Sequence, residues 1–171
     1  MRKLIFIFIL FSSLAAFAQK IPETSRTEFS KEALSQKITD LYGDKISIGE
    51  ILKNHQGKIV IIDFWASWCK DCILALPGTK ALKAGNPDID FIYFSLDRTE
   101  DQWKKGLEKY GIFSKENYWF DEGWKNVFNN EIDLNWIPRF IVADQKGNIA
   151  KYYAVSPYDP EIQKTIDNLM K

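Results

Sequence analysis

The sequence predicts one α/β domain built on a mixed sheet, and three observations carry that reading. Ile59-Val60-Ile61-Ile62-Asp63-Phe64-Trp65 is an almost unbroken apolar, β-branched run, as expected of a strand covered on both faces. A helical pattern from Cys72 to Ala84 leads to a second buried strand, Ile89 to Leu96, which makes a parallel β-α-β unit. Two later strand-like runs, Arg139 to Ala143 and Ile149 to Ala154, flank Asp144-Gln145-Lys146-Gly147-Asn148 and read as an antiparallel hairpin. With 171 residues, 46% hydrophobic and 15% aromatic, the chain has enough apolar material for one well-packed core.

The elements follow in order. Arg2 and Lys3 precede an uncharged stretch, Leu4 to Ala18, that closes on Ala16-Phe17-Ala18, the small-x-small pattern cut by a signal peptidase. The stretch is shorter than the roughly 20 residues that span a hydrocarbon core, so residues 1–18 read as a cleaved signal peptide and Gln19 as the mature start. Export implies a periplasm, in a Gram-negative-type bacterium, or another extracytoplasmic space, with no stable membrane span after cleavage. Residues 19–45 read as an N-terminal extension: a polar, mobile lead-in to residue 30, then a helix from the spacing of Phe29, Ala33, Leu34, Ile38 and Leu41, stopped by Gly43. Residues 46–171 form the main domain. Ser47 and Glu50 have capping-box spacing ahead of Ile51 and Leu52, and Gln56-Gly57 turns the chain into the first buried strand. Pro77 is expected to kink the helix after Cys72, and Gly85-Asn86-Pro87 ends it. Thr99 caps a helix through Trp103, Leu107 and Tyr110, closed by Gly111; a weaker helix covers Trp124 to Asn130, and Pro160 opens the last one.

Charge is balanced, 23 basic against 23 acidic side chains, so no field gathers phosphates and no nucleic-acid partner is expected. Two cysteines, Cys69 and Cys72, exclude a disulfide-dense scaffold and pose the question of a lone C-x-x-C. A disulfide exchanger needs one thiolate-prone sulfur to attack and a second close enough to release the mixed disulfide. At a helix start, Cys69 sits where unsatisfied N–H groups favour the thiolate, and Cys72 lies a turn deeper. Lys70 favours that thiolate and Asp71 opposes it, so the dipeptide leaves the potential open. A structural disulfide and half of a zinc site are the alternatives, but zinc wants four ligands and His55 is the single histidine. His55 lies in a Lys/Asn/Gln stretch and reads as a solvated side chain. No metal or other cofactor is expected.

Ile62-Asp63-Phe64-Trp65-Ala66-Ser67-Trp68-Cys69-Lys70-Asp71-Cys72, with Trp136-Ile137-Pro138 far downstream, resembles thioredoxin-fold proteins and, more narrowly, the exported TlpA/ResA-type thiol–disulfide oxidoreductases. The resemblance runs from about Ile46 to Lys171. It implies a central mixed sheet flanked by helices, with a helix and strand inserted in the 68-residue interval from Cys69 to Ile137. It also implies a redox disulfide Cys69–Cys72, with Cys69 as nucleophile. Asp63 would move a proton to or from Cys72; otherwise it is a strand-end carboxylate satisfied by backbone or water. Pro138 matches the family's cis-proline, Ile137 its specificity-tuning neighbour, and Trp68 either covers the disulfide and contacts substrate or is a rim aromatic. Trp65, by strand alternation, belongs to the core, and Trp103 and Trp124 read as core or interface.

Two departures stand out. Phe91-Ile92-Tyr93-Phe94-Ser95 lacks thioredoxin's neighbouring-strand lysine, and Ala75 stands where the exported branch often carries glutamate. The implied activity is reduction of extracytoplasmic protein disulfides by a monomer fed from a membrane-linked electron donor. Two rival readings are a redox-assisted binding or maturation module for an exported client and a thiol peroxidase, whose P-x-x-x-T-x-x-C signature is missing before Cys69.

Overall fold

In the computed structural model, which describes residues 25–171, the central strand is the apolar run that the sequence singles out. The expected signal peptide lies outside the described residues. The first elements are a one-turn helix α1 (Lys31–Ser35), strands β1 (Lys37–Thr39) and β2 (Lys45–Ser47), and helix α2 (Ile48–Asn54). Next come β3 (Val60–Trp65), α3 (Lys70–Gly85), β4 (Asp90–Ser95), α4 (Glu100–Tyr110), β5 (Asn117–Trp119) and α5 (Val127–Glu131). The chain ends with the hairpin β6 (Arg139–Ala143) and β7 (Ile149–Ala154) and helix α6 (Pro160–Leu169). The seven strands form one mixed sheet in the order β2-β1-β5-β4-β3-β6-β7. In it β3 pairs in parallel with β4 and antiparallel with β6, and every residue of β3 is buried. This is the thioredoxin-like fold, with α4 and β5 inserted between the C-x-x-C helix and the Ile137-Pro138 turn.

Local signals place the helix ends. Ser47 and Glu50 close a reciprocal capping box on α2, Thr99 Oγ1 accepts the Gln102 N–H at 3.2 Å, and Asp159 caps α6 ahead of Pro160. Gly111 ends α4 in the left-handed region (φ 62°), where a Cβ would be strained. Helix α3 runs on through Pro77 to Gly85.

Three expectations are corrected. The helix expected over 29–41 stops at Ser35, because Ile38 and Thr39 are buried in a strand between β2 and β5. Strand pairing overrides a helical spacing that rests on few residues. The lead-in is docked from Thr27 onward: Thr27 O accepts the Ile149 N–H at 2.8 Å, Ser30 bonds Glu131, and Phe29 stacks on Phe128 at 5.2 Å. The weak helix expected at Trp124 begins at Val127, capped by Asn126, which leaves Trp124 in the preceding loop. Phe64, Phe94, Phe120 and Phe128 pack with Phe29 on one face of the sheet; α3 covers the other, the face on which Asp63 lies.

Candidate active site

The site sits where β3 ends and α3 begins. Ala66 to Cys69 is a tight turn, closed by the Cys69 N–H donating to Ala66 O at 3.1 Å, and Cys69 is the N-cap of α3. Its Sγ accepts the Cys72 N–H at 3.1 Å, filling the place a serine or aspartate oxygen takes at an ordinary N-cap. The two sulfurs are joined as a disulfide, with the Cα atoms 5.2 Å apart. The N-terminal end of the 16-residue α3 therefore points its positive dipole end and free N–H groups at Cys69, which favours a thiolate there once the bond is reduced.

Across from the disulfide, the Ile137–Pro138 bond is cis. Ile137 O lies 3.6 Å from Cys69 Sγ, near enough to accept from the thiol in the dithiol state. A groove of about 340 Å³ lies beside Cys69, lined by Trp68, Trp124 and Trp136 together with Lys70, Asp71 and Ile137. Trp68 is 47% exposed and Trp136 37%, large apolar areas to leave in water, while Trp65 is buried in the core. Trp124, which its spacing places in a helix as a core or interface residue, and Trp136 both lie in loops and line the groove.

Asp63 is 3% exposed on β3, beneath the face of α3 that buries Cys72, Leu76 and Thr79. Burial pushes its carboxyl up from 3.8 to about 8, against a lesser opposing pull from the Thr79 hydroxyl. Neither Asp63 Oδ1 nor Thr79 Oγ1 has a well-formed hydrogen bond. In the position across from Asp63 on β4, where the sequence lacks the family lysine, stands Tyr93; burial first, and the Asp63 charge second, raise its phenol far above the usual range. The exposed Lys83 of α3 has its Nζ 6.0 Å from the Tyr93 ring centre.

Sequence reasoning missed two residues near the site and misjudged a third. Arg139, directly after Pro138, is buried; its Nη2 donates to Tyr152 O at 2.7 Å and its guanidinium lies 4.2 Å from the Tyr153 ring centre. It opens β6, whose every residue is buried, and a charged residue leading so apolar a run could have flagged it. Asp97, just past β4, is also buried. His55, read as solvated, is in fact 9% exposed at the opposite end of the sheet, with Nδ1 2.7 Å from Asp90 and Nε2 3.0 Å from Glu116. Its polar neighbours in sequence point outward, but its partners arrive from two other elements. Among the described residues, no group of three His, Cys, Asp or Glu side chains is arranged to hold a metal ion, and no helix is long and apolar enough to cross a membrane.

Comparison with known proteins agrees with this geometry. A family model described as thioredoxin-like matches residues 57–149. The thiol-disulfide oxidoreductase ResA of Bacillus anthracis is 28% identical over 131 residues, which span 75% of this chain and 71% of that protein. The solution structure of a Bacteroides vulgatus protein assigned as a thiol-disulfide oxidoreductase superposes with a TM-score of 0.67 at 28% identity, over 83% of this chain and 90% of that one. A secreted Mycobacterium tuberculosis disulfide oxidoreductase, at 20% identity and TM-score 0.62, shares the fold over 82% of this chain and all of its own. The chain belongs to the thioredoxin-like family and is a thiol–disulfide oxidoreductase similar to ResA.

Proposed function

We propose that this protein reduces disulfides in other proteins outside the cytoplasm, through Cys69 and Cys72. The observation that carries the reading is the placement of Cys69: at the N-cap of α3, in a tryptophan-walled groove, facing the Ile137 carbonyl before a cis-proline. In the dithiol form, the Cys69 thiolate attacks one sulfur of a substrate disulfide; a new S–S bond forms and the other substrate sulfur leaves as a thiolate. Cys72 then attacks Cys69 Sγ, the mixed disulfide breaks, and the second substrate sulfur leaves reduced. Two electrons pass to the substrate, and the Cys69–Cys72 bond closes. An external dithiol donor, linked to the membrane, reopens it.

Asp63 is the proton carrier for Cys72 in this scheme. A carboxyl titrating near 8 is largely protonated at neutral pH, and its ionised form can take the Cys72 proton as that thiol becomes the attacking group. The Ile137 peptide supports an extended substrate segment through backbone pairing, and Trp68 covers its apolar flank. The leader expected at residues 1–18 supports export, and a neighbour of the same fold, from Mycobacterium tuberculosis, is a secreted protein.

The deciding experiment equilibrates the protein in thiol buffers and reads the trapped cysteines. A potential near −270 mV, as in thioredoxin, is expected for a reductase; one near −120 mV would make it an oxidant of secreted thiols and overturn the direction. Cys69→Ser is expected to abolish turnover of a model disulfide, whereas a binding module would keep capturing clients without it.

A further inference from the structure

A second aspartate lies buried behind the nucleophile, and it is bonded to the turn that carries it. Asp97 is 1% exposed. Both of its carboxylate oxygens lie 3.1 Å from the Ser67 N–H, Oδ1 accepts the Ser67 hydroxyl at 2.6 Å, and Oδ2 accepts the Ser95 hydroxyl at 2.7 Å. Its own backbone is held as well, the N–H donating to Ser95 Oγ at 3.0 Å and the carbonyl accepting Trp119 Nε1–H at 2.7 Å. Ser67 is the second residue of the Ala66–Cys69 turn, so these bonds end two residues from Cys69 Sγ.

The same serine is braced from its other side. A Cβ built on Gly106 of α4 would lie 2.5 Å from Ser67 Cβ, closer than real Cβ atoms come, and the Tyr110 hydroxyl of α4 donates to Ser67 O at 3.4 Å. Glycine at 106 is thus what allows the inserted helix to reach the turn.

We propose that Asp97 is a positioning residue for Cys69: it clamps Ser67 against α4 and so fixes the turn that aims the sulfur at the groove. This rests on Cys69 being the attacking thiol. A carboxylate offers acceptors only, which suits the N–H and two hydroxyls that converge on it. An asparagine of the same shape keeps one acceptor oxygen and turns a donor toward donors. With the turn loosened, the Cys69 side chain no longer holds its N-cap geometry, and the thiolate loses part of the stabilisation that the helix end supplies.

The test compares the reduced wild-type protein with D97N and G106A. It reads the pH dependence of Cys69 alkylation by peptide mapping and the rate constant for exchange with a small aromatic disulfide, per folded molecule. D97N is expected to raise the pH midpoint of Cys69 alkylation by about one unit and to slow exchange at pH 7 about tenfold. G106A leaves the Asp97 side chain itself unchanged but pushes Ser67, and with it the bonds Ser67 makes to Asp97, from the α4 side, and is expected to move both readouts in the same direction. Ile162→Val, a core change in α6 away from the turn, should lower Tm and move neither. If D97N does not fold, G106A and Ser67→Ala decide the matter by the same readouts. A lowered Tm in these variants, with the alkylation midpoint within about 0.3 pH unit and the exchange rate within about twofold of wild type, would overturn the proposal. Because alkylation is read on Cys69 itself, it reports on the turn even if the wild-type protein fails to reduce a protein disulfide, an outcome that would overturn the proposed function alone.

Discussion

Asp63 and Asp97 are both buried acids behind one disulfide, yet their surroundings differ in kind. Asp97 is surrounded by donors, with an N–H and two hydroxyls converging on its oxygens. Asp63 has a bare Oδ1, a threonine hydroxyl whose opposing pull is the lesser, and a carboxyl lifted to about 8 by desolvation. Burying a charge is costly unless hydrogen bonds replace the lost water, so the satisfied acid holds a loop while the unsatisfied one is kept ready to change protonation. One on β3 and the other just past the adjacent β4, these two residues of one type would, in the proposed roles, divide proton handling from positioning through their hydrogen-bond supply.

Removing each acid should expose the contrast. The largest effect is expected from Asp97→Ala, which strands the Ser67 N–H and two hydroxyls in the interior and should cost about 3–5 kcal/mol of stability by denaturant unfolding. Asp63→Asn should act with the opposite sign. The folded-state value near 8 stands above the unfolded 3.8, so the folded protein holds an extra proton in that window and loses stability as pH rises from about 4 to about 8. The variant lacks that loss. Its advantage over wild type should grow through the window and level off above it, reaching about 2 kcal/mol or more at pH 9. A stability difference that stays flat with pH would show that Asp63 is not the titrating group.

Catalysis sharpens the same contrast. The rate at which Cys72 resolves a Cys69 mixed disulfide should rise with pH around 8 in the wild type, and Asp63→Asn should flatten that rise, as stopped-flow measurement across pH 6–10 would show. The smallest effects belong to the hydroxyls. Ser95→Ala should cost about 1–2 kcal/mol, since it removes both the hydroxyl's bond to Asp97 Oδ2 and its acceptance of the Asp97 N–H. Thr79→Val, which replaces an unpaired buried hydroxyl, should be within about 1 kcal/mol of neutral and should move the Asp63-dependent profile to still higher pH.

What could be read in advance follows the range of the signal. The strand from Ile59 to Trp65, the cysteine pair one helical turn apart, the capping box at Ser47 and Glu50 and the hairpin around Gly147 all appear in the structure, because each is specified within a few consecutive residues. Signals of this kind fail when a distant partner outweighs them. Ile38 fits a helical spacing but joins a strand between β2 and β5, and His55 sits in a polar stretch but is enclosed by Asp90 and Glu116. The groove tryptophans at 124 and 136 lie in loops, where no periodicity marks an inward face.

By itself, then, the sequence determined the fold class, the C-x-x-C at a helix start and the family, since backbone periods, capping and a motif of consecutive residues are local and survive without knowledge of what packs where. Tertiary structure alone decided which buried acid would be satisfied. The donors to Asp97 include a serine 30 residues earlier, and the carbonyl facing Cys69 comes from 68 residues later, so both depend on strand register and on how closely α4 approaches the turn. Hydrogen-bond partners at such separations are set by three-dimensional packing, which no local pattern encodes.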